Sequence, residues 1–469
     1  YKEFTDNLSM NWYVNDYLLV KGQFAISYKQ DKTNVFTDPE SAKYGTGLTA
    51  FLKGELTQSQ TTTTRWNTNV FAAYNRLLGL HNLNFSLGFN ATYSNTAYSY
   101  SHYRGFPDAN RHSPAYAYEV VKKPTFSDNK TRLFGAFLMM NYSYNDIYLA
   151  DVSFRYDGSS EFGSDNKWAP FWSVGAGINL HNYAFIKGNE WITQFRIKGN
   201  VGQTGKSNFQ PYMARNTYEV LLDDWYQTGI GANLIYMGND DLTWEKQLSW
   251  NIGTDITTWK DRLTLGFDYY YKKTIDLVTE VSLPSSSGFG KYTDNIGEIL
   301  NEGIELDLNV RAYSDKDWDV IVFGNLAHNK NKILKISESL KQYNERIDEY
   351  FDEYNQNASK AQDSKFSQTF MKYEEGSSLT AIYGMKSLGI NPANGKEIFV
   401  GRNGILTSTW NASDQQPIGC TDPKIEGNIS LNGGYKGFSL SMYFTYSLGG
   451  DTYNQTLVDR VENADKRYN

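Results

Sequence analysis

Large apolar residues alternate with small or polar ones through most of this chain, and that alternation limits what the chain can fold into. The segment 82–93 reads NLNFSLGFNATY, and the segments 304–312 and 438–446 repeat its pattern. A period of two is typical of β-strands, because successive side chains of a strand leave opposite faces. About fourteen such segments follow one another along the chain. We therefore predict an all-β protein.

The two faces of these strands differ in an informative way. In the segment 148–156, Val152, Phe154 and Tyr156 share one face, whereas Arg155 lies on the other. The polar faces are too hydrophilic for the inside of a soluble sandwich. Mean hydropathy is −0.57, and no apolar run reaches the ~18–20 residues that a membrane helix needs. Membrane helices are excluded, but a membrane β-barrel remains possible because half of each of its strands faces a wet lumen.

The connections between the predicted strands alternate in length. Short turns fall at Asn15-Asp16, Leu77–His81, Asn145-Asp146, Trp259–Arg262, Ser314–Asp317 and Gly434–Gly437, and a somewhat longer one at His181–Glu190. Between them lie mostly longer connections at 31–63, 95–130, 157–167, 205–243, 279–291 and 331–421. Outer-membrane barrels have short periplasmic turns and longer extracellular loops. The pattern favours a transmembrane antiparallel β-barrel, with its apolar face toward lipid and its polar face toward a wet interior.

The position of the two chain ends leads to a further expectation. If the short turns are periplasmic, the first strand starts and the fourteenth ends on the outer side, whereas both termini of bacterial barrels normally lie in the periplasm. We therefore expect the intact sheet to hold more strands. Tyr1 opens directly on an alternating segment, so we also expect an N-terminal part before it.

Charge and residue usage narrow the possible functions. The formal net charge of −7 provides no basic footprint for nucleic acid. The single cysteine, Cys420, excludes an intramolecular disulfide and a zinc cluster built on cysteines. The five histidines are scattered without the spacing of metal ligands. We expect no metal site and no cofactor.

Several separate motifs occur in a fixed order along the chain: RYDGSSEFGSDNKW (155–168), FWSVGAG (171–177), GNVGQTGKSN (199–208), LTWEKQLSWNIGTD (242–255), NIGEILNEGIELDL (295–308) and DPKIEGNISLNGGYKGFSLS (422–441). Together they resemble the consecutive signatures of SusC/RagA-type TonB-dependent outer-membrane transporters. The resemblance is strong over residues 130–460 and rests on the strand pattern alone over 1–130.

This resemblance implies a 22-stranded barrel in the outer membrane of a Gram-negative bacterium, filled by an N-terminal plug domain. It also implies a SusD-like surface lipoprotein as a lid, and energy drawn from TonB through a motif on the plug. This chain departs from the family pattern, since it contains about fourteen strands and neither plug nor TonB motif. We interpret residues 1–469 as part of such a barrel, in contact with outer-membrane lipid.

The longest connection, 331–421, is predicted to be an extracellular insertion with a short helix. Apolar residues in 337–357 recur at a spacing of three and four, which is typical of one helix face; they are Leu340, Tyr343, Ile347, Tyr350 and Tyr354. Ser337 is suited to cap the start of this helix. The apolar face could pack within the loop itself or on a partner protein.

Other motifs that suggest chemistry are weak. GQTGKS (202–207) lacks the first glycine of a phosphate-binding loop, because Asn200 stands in its place. The acidic pairs Asp223-Asp224 and Asp240-Asp241 lie in one long connection, and adjacent carboxylates usually diverge rather than face each other across a sugar. We predict no catalytic residues and no enzymatic activity.

Flat aromatic side chains in the long connections are candidates for ligand binding, because aromatic rings can stack on the apolar faces of sugars. They are Tyr103, Tyr116, Tyr118, Trp225, Tyr226 and Trp410. Our hypothesis is active import of nutrient oligosaccharides as the transporter of a SusCD-type complex. The alternatives are a peptide importer of the same family, a passive porin or adhesin barrel, and a secreted β-sheet enzyme acting on carbohydrates.

Overall fold

The computed structural model describes most of the chain. The described residues are 1–45, 49–163, 166–206, 212–227, 229–282, 291–338, 340–342, 344–346, 348–349, 373–411, 414–452, 454 and 456. Among them, no helix is both long enough and apolar enough to span a membrane.

A fourteen-stranded sheet dominates the fold and confirms the predicted all-β class. Its strands, in hydrogen-bonding order, are β1 (Lys2–Tyr13), β2 (Leu18–Thr37), β3 (Glu55–Leu78), β4 (His81–Arg104), β5 (Glu119–Tyr144), β6 (Tyr148–Ser159), β7 (Trp168–Asn179), β8 (Ile192–Lys206), β11 (Glu245–Thr258), β12 (Leu263–Ser282), β13 (Lys291–Ser314), β14 (Trp318–Lys335), β20 (Ile425–Tyr435) and β21 (Phe438–Leu448). The pairs β1–β2, β2–β3, β3–β4 and β11–β12 are antiparallel, as expected for a barrel built from hairpins.

The remaining strands belong to the long connections. In chain order, a hairpin of β9 (Thr217–Tyr226) and β10 (Gly229–Tyr236) follows β8 and precedes β11. The connection from β14 to β20 contains β15 (Ala381–Gly384), β16 (Lys386–Ile390), β17 (Glu397–Val400), β18 (Leu406–Thr407) and β19 (Gln416–Cys420). Short 3₁₀ helices occur at Ala42–Tyr44, Ala50–Leu52, Pro114–Tyr116 and Leu180–Asn182.

The chain forms two compact units. Unit 1 consists of Tyr1–Tyr142, Asp151–Trp172 and Phe209–Thr243. Unit 2 consists of Ser143–Ala150, Ser173–Asn208 and Trp244–Asn469.

The short turns are as tight as the sequence predicts. At the turn from β5 to β6, Asn145 and Asp146 adopt φ values of 52° and 54°, and at the turn from β20 to β21, Lys436 and Gly437 adopt 43° and 92°. Two successive residues with positive φ are typical of the turns whose twist matches a β-hairpin. Asn, Asp and Gly tolerate this left-handed backbone better than other residues.

Apolar side chains form rows across paired strands, and these rows are not buried. In unit 2, Ile252 pairs with Tyr269 and Tyr269 with Ile304, and Ile429 pairs with Phe444. Ile252 is 57% exposed and Phe444 is 59% exposed. So large an apolar surface in the middle of long strands is incompatible with water and is the surface that a membrane barrel turns toward lipid. None of Phe85, Leu306 and Phe444 lies in a dry interior.

The dry core lies almost entirely beside the long connections. Among the described residues, the buried apolar side chains are Tyr44, Leu56, Phe106, Phe162, Ala169, Phe171, Ala214, Leu242, Trp244, Ile299, Ile333, Ile336 and Met385, with Ile147 at a short turn. The middle of the sheet contributes none of them, so ordinary hydrophobic packing orders the loops rather than the wall.

The turn from β13 to β14 is predicted to be acid-sensitive. The Asp315 carboxylate accepts hydrogen bonds from the Tyr313 hydroxyl (2.7 Å) and from the N–H groups of Asp317 (2.8 Å) and Trp318 (2.7 Å). These bonds lower the pKa of Asp315 below its ordinary 3.8. The stabilisation that these hydrogen bonds give to the turn is therefore present above pH 3.8 and is lost as the pH falls through the lowered pKa of Asp315.

We expect the Asp317 and Trp318 amides to lose protection from hydrogen exchange, after correction for the intrinsic rate, as the pH falls below 3.8. An Asp315→Asn variant, which has no carboxylate to protonate, should not show this transition. Unchanged protection of the wild-type amides in acid would contradict the assignment.

Candidate functional site

The six aromatic residues predicted to bind ligand lie in different local settings. Tyr103 is near the end of β4 and is half-buried, whereas Tyr116 and Tyr118 are 54% and 63% exposed in the connection that follows β4. Trp225 and Tyr226 end β9, and the structure describes their backbone only. Trp410 belongs to unit 2 and is 39% exposed. Of the six, Tyr103, Tyr116 and Tyr118 lie close together in the chain.

The connections after β2 and β4 form a small folded platform in unit 1. The N–H of Gly105 donates to the carbonyl of Gly54 (2.9 Å), and the Tyr118 N–H donates to the carbonyl of Gly105 (2.8 Å). The Phe36 and Phe106 rings meet edge to face with centroids 5.2 Å apart. This packing holds both connections against each other and leaves the Tyr116 ring facing outward.

Tyr118 is exposed, but its ring also makes a contact within the platform. Its ring lies 5.1 Å from the Phe51 ring, so part of it packs within the platform. Close by, Lys43 donates to Glu55 (2.7 Å), and this hydrogen bond raises the pKa of Lys43. The platform therefore presents Tyr116 from a backbone that neighbouring contacts hold in place.

The motif RYDGSSEFGSDNKW builds the turn from β6 to β7 and is mainly structural. Phe162 is fully buried. A Cβ on Gly163 would lie 2.0 Å from the carbonyl oxygen of Asp240, so only glycine fits there. Asn166 donates to the Asp241 carbonyl (3.1 Å). The backbone carbonyl groups of Asp240 and Asp241 thus contact this turn, whereas their carboxylates have no part in these contacts.

The same motif extends onto the polar face of the sheet. The Arg155 guanidinium pairs with the Asp157 carboxylate (2.6 Å) and donates to the Asn90 side chain (2.7 Å). A Cβ on Gly135 would lie 2.2 Å from Asp157, so that glycine makes room for the pair. Asp157 is buried, and a buried carboxylate needs such a partner.

Unit 2 has a comparable ionic group on its polar face. The Lys198 ammonium lies 3.2 Å from Asp255 and 3.5 Å from Asp268. Further along this face, a cavity of about 300 Å³ is lined mostly by polar side chains, among them Glu305, Asp307, Asn325, Glu426, Asn428 and Thr445. The polar face is therefore hydrophilic and charged, as expected for a wet lumen.

Sequence reasoning missed a groove on the apolar face of unit 1. Trp66 stacks on Tyr93 (5.8 Å between centroids, 21° between planes), and Trp168 stacks on Tyr156 (5.5 Å, 9°). The Phe134 ring meets Trp168 edge to face (6.1 Å). We call the cavity between these rings the rim groove; it holds about 450 Å³ and is lined by Trp66, Tyr93, Arg132, Phe134, Lys167, Trp168 and Arg215, with smaller neighbours.

Gly158 is the residue that makes room for one wall of the rim groove. A Cβ at this position would lie 2.5 Å from the Trp168 ring. The indole can therefore lie flat across β6 only because residue 158 has no side chain. The occurrence of Gly158 and Trp168 in the same motif is the sequence signal from which this side of the rim groove could have been predicted.

The insertion after β14 begins with a helical segment. The Ser337 hydroxyl oxygen accepts a hydrogen bond from the N–H of Leu340 (3.0 Å), which caps a helical segment. Of the predicted stripe, Leu340 is described and is half-buried, whereas Tyr343, Ile347, Tyr350 and Tyr354 lie outside the described residues. Strands β15 to β19 follow, a folded content that periodicity did not predict.

No group of three or more His, Cys, Asp or Glu side chains within the described ranges is arranged to hold a metal ion. Cys420 is a free thiol, half-buried and 3.3 Å from the Thr380 hydroxyl.

Comparison with known proteins agrees with this architecture. Residues 2–384 match the family described as "TonB dependent receptor-like, beta-barrel". TonB-dependent receptor P3 of Formosa agariphila is 27% identical over 464 residues, which cover 95% of this chain and 44% of that protein. TonB-dependent receptor SusC of Bacteroides thetaiotaomicron is 26% identical over 350 residues, 73% of this chain and 34% of that protein.

A solved structure of the RagAB peptide transporter superposes with a TM-score of 0.81 at 24% identity, covering 95% of this chain and 48% of the matched chain. The chain thus spans less than half the length of each of these relatives. The resemblance to SusC/RagA-type proteins is confirmed, and the chain belongs to the TonB-dependent receptor β-barrel family.

Proposed function

We propose that the protein containing this chain imports nutrient oligosaccharides across the outer membrane of a Gram-negative bacterium. The observation that carries the proposal is the family match over residues 2–384, together with a relative named SusC that aligns with 73% of the chain. A sheet with exposed apolar rows on one face and ionic groups on the other is the wall such a transporter needs. The wall performs no covalent chemistry.

The partners follow from the same proposal. A SusD-like surface lipoprotein closes over the long connections, and TonB supplies energy through a plug that fills the lumen. The Lys198 ammonium on the polar face, with Asp255 and Asp268, is available to hydrogen-bond a plug or a hydrated solute.

Ligand contact is proposed at the aromatic residues of the long connections, Tyr103, Tyr116, Tyr118, Trp225, Tyr226 and Trp410. Tyr116 is the sharpest candidate, because its exposed ring is carried by an ordered platform. A rigid platform reduces the entropy lost when a ring stacks on a sugar. A peptide remains the second candidate cargo, since aromatic rings also pack on peptide side chains and the matched fold includes a peptide transporter.

The proposal is tested by uptake in cells that carry the full-length gene with its neighbouring lipoprotein gene. We expect labelled oligosaccharides to enter in a manner that requires TonB. A Tyr116→Ala variant should raise the KM for uptake roughly threefold to tenfold, because an aromatic contact contributes about 0.5–1.5 kcal/mol.

Phe185→Ala is the matched control, because it removes an aromatic ring that is 78% exposed beside a short turn. Its KM should equal that of the wild type. Uptake of peptides instead of glycans would overturn the glycan assignment, and uptake that persists without TonB would identify a passive pore.

A further inference from the structure

The rim groove lies on the face that the barrel turns toward lipid. Trp66 pairs with Tyr93 in the register of β3 and β4, and the same register pairs Val70 with Phe89 on the same face four residues along. Phe89 in turn stacks on Phe134 (6.0 Å, 21°). The groove thus continues the apolar surface of the wall and does not open into the polar lumen.

Its height places the rim groove at the outer edge of the bilayer. Trp66 and Tyr93 lie about midway along strands of 24 residues each. A membrane-spanning strand needs only ~9–11 residues, counted here from the short-turn ends of β3 and β4. The lower halves of these strands are enough to cross the hydrocarbon, so the aromatic rings lie where lipid headgroups begin.

Cationic side chains complete the groove. Arg132, Lys167 and Arg215 line it, and no acidic residue is among the described residues that do so. The Arg132 guanidinium lies 5.9 Å from the Tyr93 ring centroid. Both arginines are exposed, and neither forms an ion pair within the described part of the chain. Lys130, by contrast, is neutralised by Asp128 at 2.6 Å.

We propose that the rim groove binds one lipid of the outer leaflet, with acyl chains on the aromatic wall and a phosphate-bearing headgroup against Arg132 and Arg215. Guanidinium groups match phosphate oxygens in a two-pronged geometry. Ser160 also lines the cavity. Its hydroxyl oxygen accepts a hydrogen bond from the N–H of Arg132 (2.9 Å), so its proton can be donated to the same phosphate oxygens. A neutral sugar would not need the positive charge, and a soluble peptide would not reach a groove that opens toward hydrocarbon.

The test uses the full-length receptor, purified in a neutral detergent and exchanged into bilayer discs. Bound lipid is counted by native mass spectrometry with two probes of equal acyl chains, one diphosphorylated glycolipid and its dephosphorylated form. We expect the wild type to retain the phosphorylated probe selectively. Arg132→Gln combined with Arg215→Gln should weaken retention roughly tenfold or more, because two charge-assisted contacts are lost.

The matched control combines Lys122→Gln with Lys123→Gln, which removes the same two charges from the outer part of β5. It should retain the probe as the wild type does. Equal weakening in both double variants, or equal retention of the dephosphorylated probe, would overturn the proposal. Displacement of the lipid by inorganic phosphate alone would also overturn it, since that would indicate a free anion site.

A Trp168→Ala variant distinguishes the acyl wall from the cationic edge. It should shorten the residence of the phosphorylated probe while leaving both arginines in place. Correct folding of each variant is checked by retention of the heat-modifiable band that folded barrels show on gels. A folded Trp168→Ala receptor with unchanged residence time would contradict the proposed acyl contact.

Discussion

Alanine in place of Phe162 is expected to lower the free energy of unfolding by about 3–5 kcal/mol, the usual cost of removing a buried phenyl ring. Phe162 is fully buried in the turn from β6 to β7, and the adjacent Gly163 is pressed against the backbone of Asp240. The cavity could not collapse easily, because both of its neighbouring segments are held by backbone contacts. The measurement is urea-dependent unfolding of the full-length receptor refolded into vesicles.

The control is Phe126→Ala, which removes the same ring from a side chain in β5 that is 71% exposed. Its free energy of unfolding should stay within about 0.5 kcal/mol of the wild type. Limited proteolysis adds a local readout, since loss of Phe162 should expose the segment around Asp240 and Asp241, whose backbone contacts this turn, to cleavage. Similar stability of both variants would show that this turn does not hold the loops.

Lysine in place of Leu306 is the second large effect, a loss of about 2–4 kcal/mol if the side chain meets the middle of the bilayer. Leu306 pairs with Phe267 on one side and Leu326 on the other, in a row of apolar residues. The lysine ammonium at this position must either be transferred from water into hydrocarbon or reach the headgroups by bending of its side chain. The same vesicle refolding experiment measures the change.

Asn309→Lys is the matched control on the same strand, because Asn309 lies on the polar face and is exposed. It should change stability only slightly, and equal losses at both positions would contradict the orientation of the sheet. Leu440 is also an apolar residue of the sheet, but it is near the start of β21 beside a short turn. Its replacement should cost only about 0–1 kcal/mol, the value near an interface.

Much of the fold can be predicted from the sequence, because it depends on residues that are neighbours in the chain. Strand alternation around Phe85 and Leu306 predicted the two faces, because a period of two follows from the backbone alone. Asn145-Asp146 and Gly434–Gly437 indicated tight turns, because Asn, Asp and Gly accept a left-handed backbone better than other residues do. Even the cap at Ser337 was predictable, since capping depends on neighbours within one helical turn.

The long connections were less predictable, because their order depends on contacts between distant segments. The hairpin of β9 and β10 and the strands β15 to β19 were not predicted. Nor did Tyr118 reveal that its ring would pack on Phe51. The motif at 155–168 was recognised as a family signature, yet its role as an anchor for Asp240-Asp241 required the folded chain.

The sequence by itself determined the strand periodicity, the sequence of short and long connections, and which face of each strand is apolar. All three are written in residues close to one another in the chain. Only the tertiary structure decided which distant residues meet: Trp66 with Tyr93, Phe134 with Trp168, and Arg132 with Arg215 around one groove. Such meetings depend on strand register and loop docking, and these are set by packing over the whole sheet rather than by local preference.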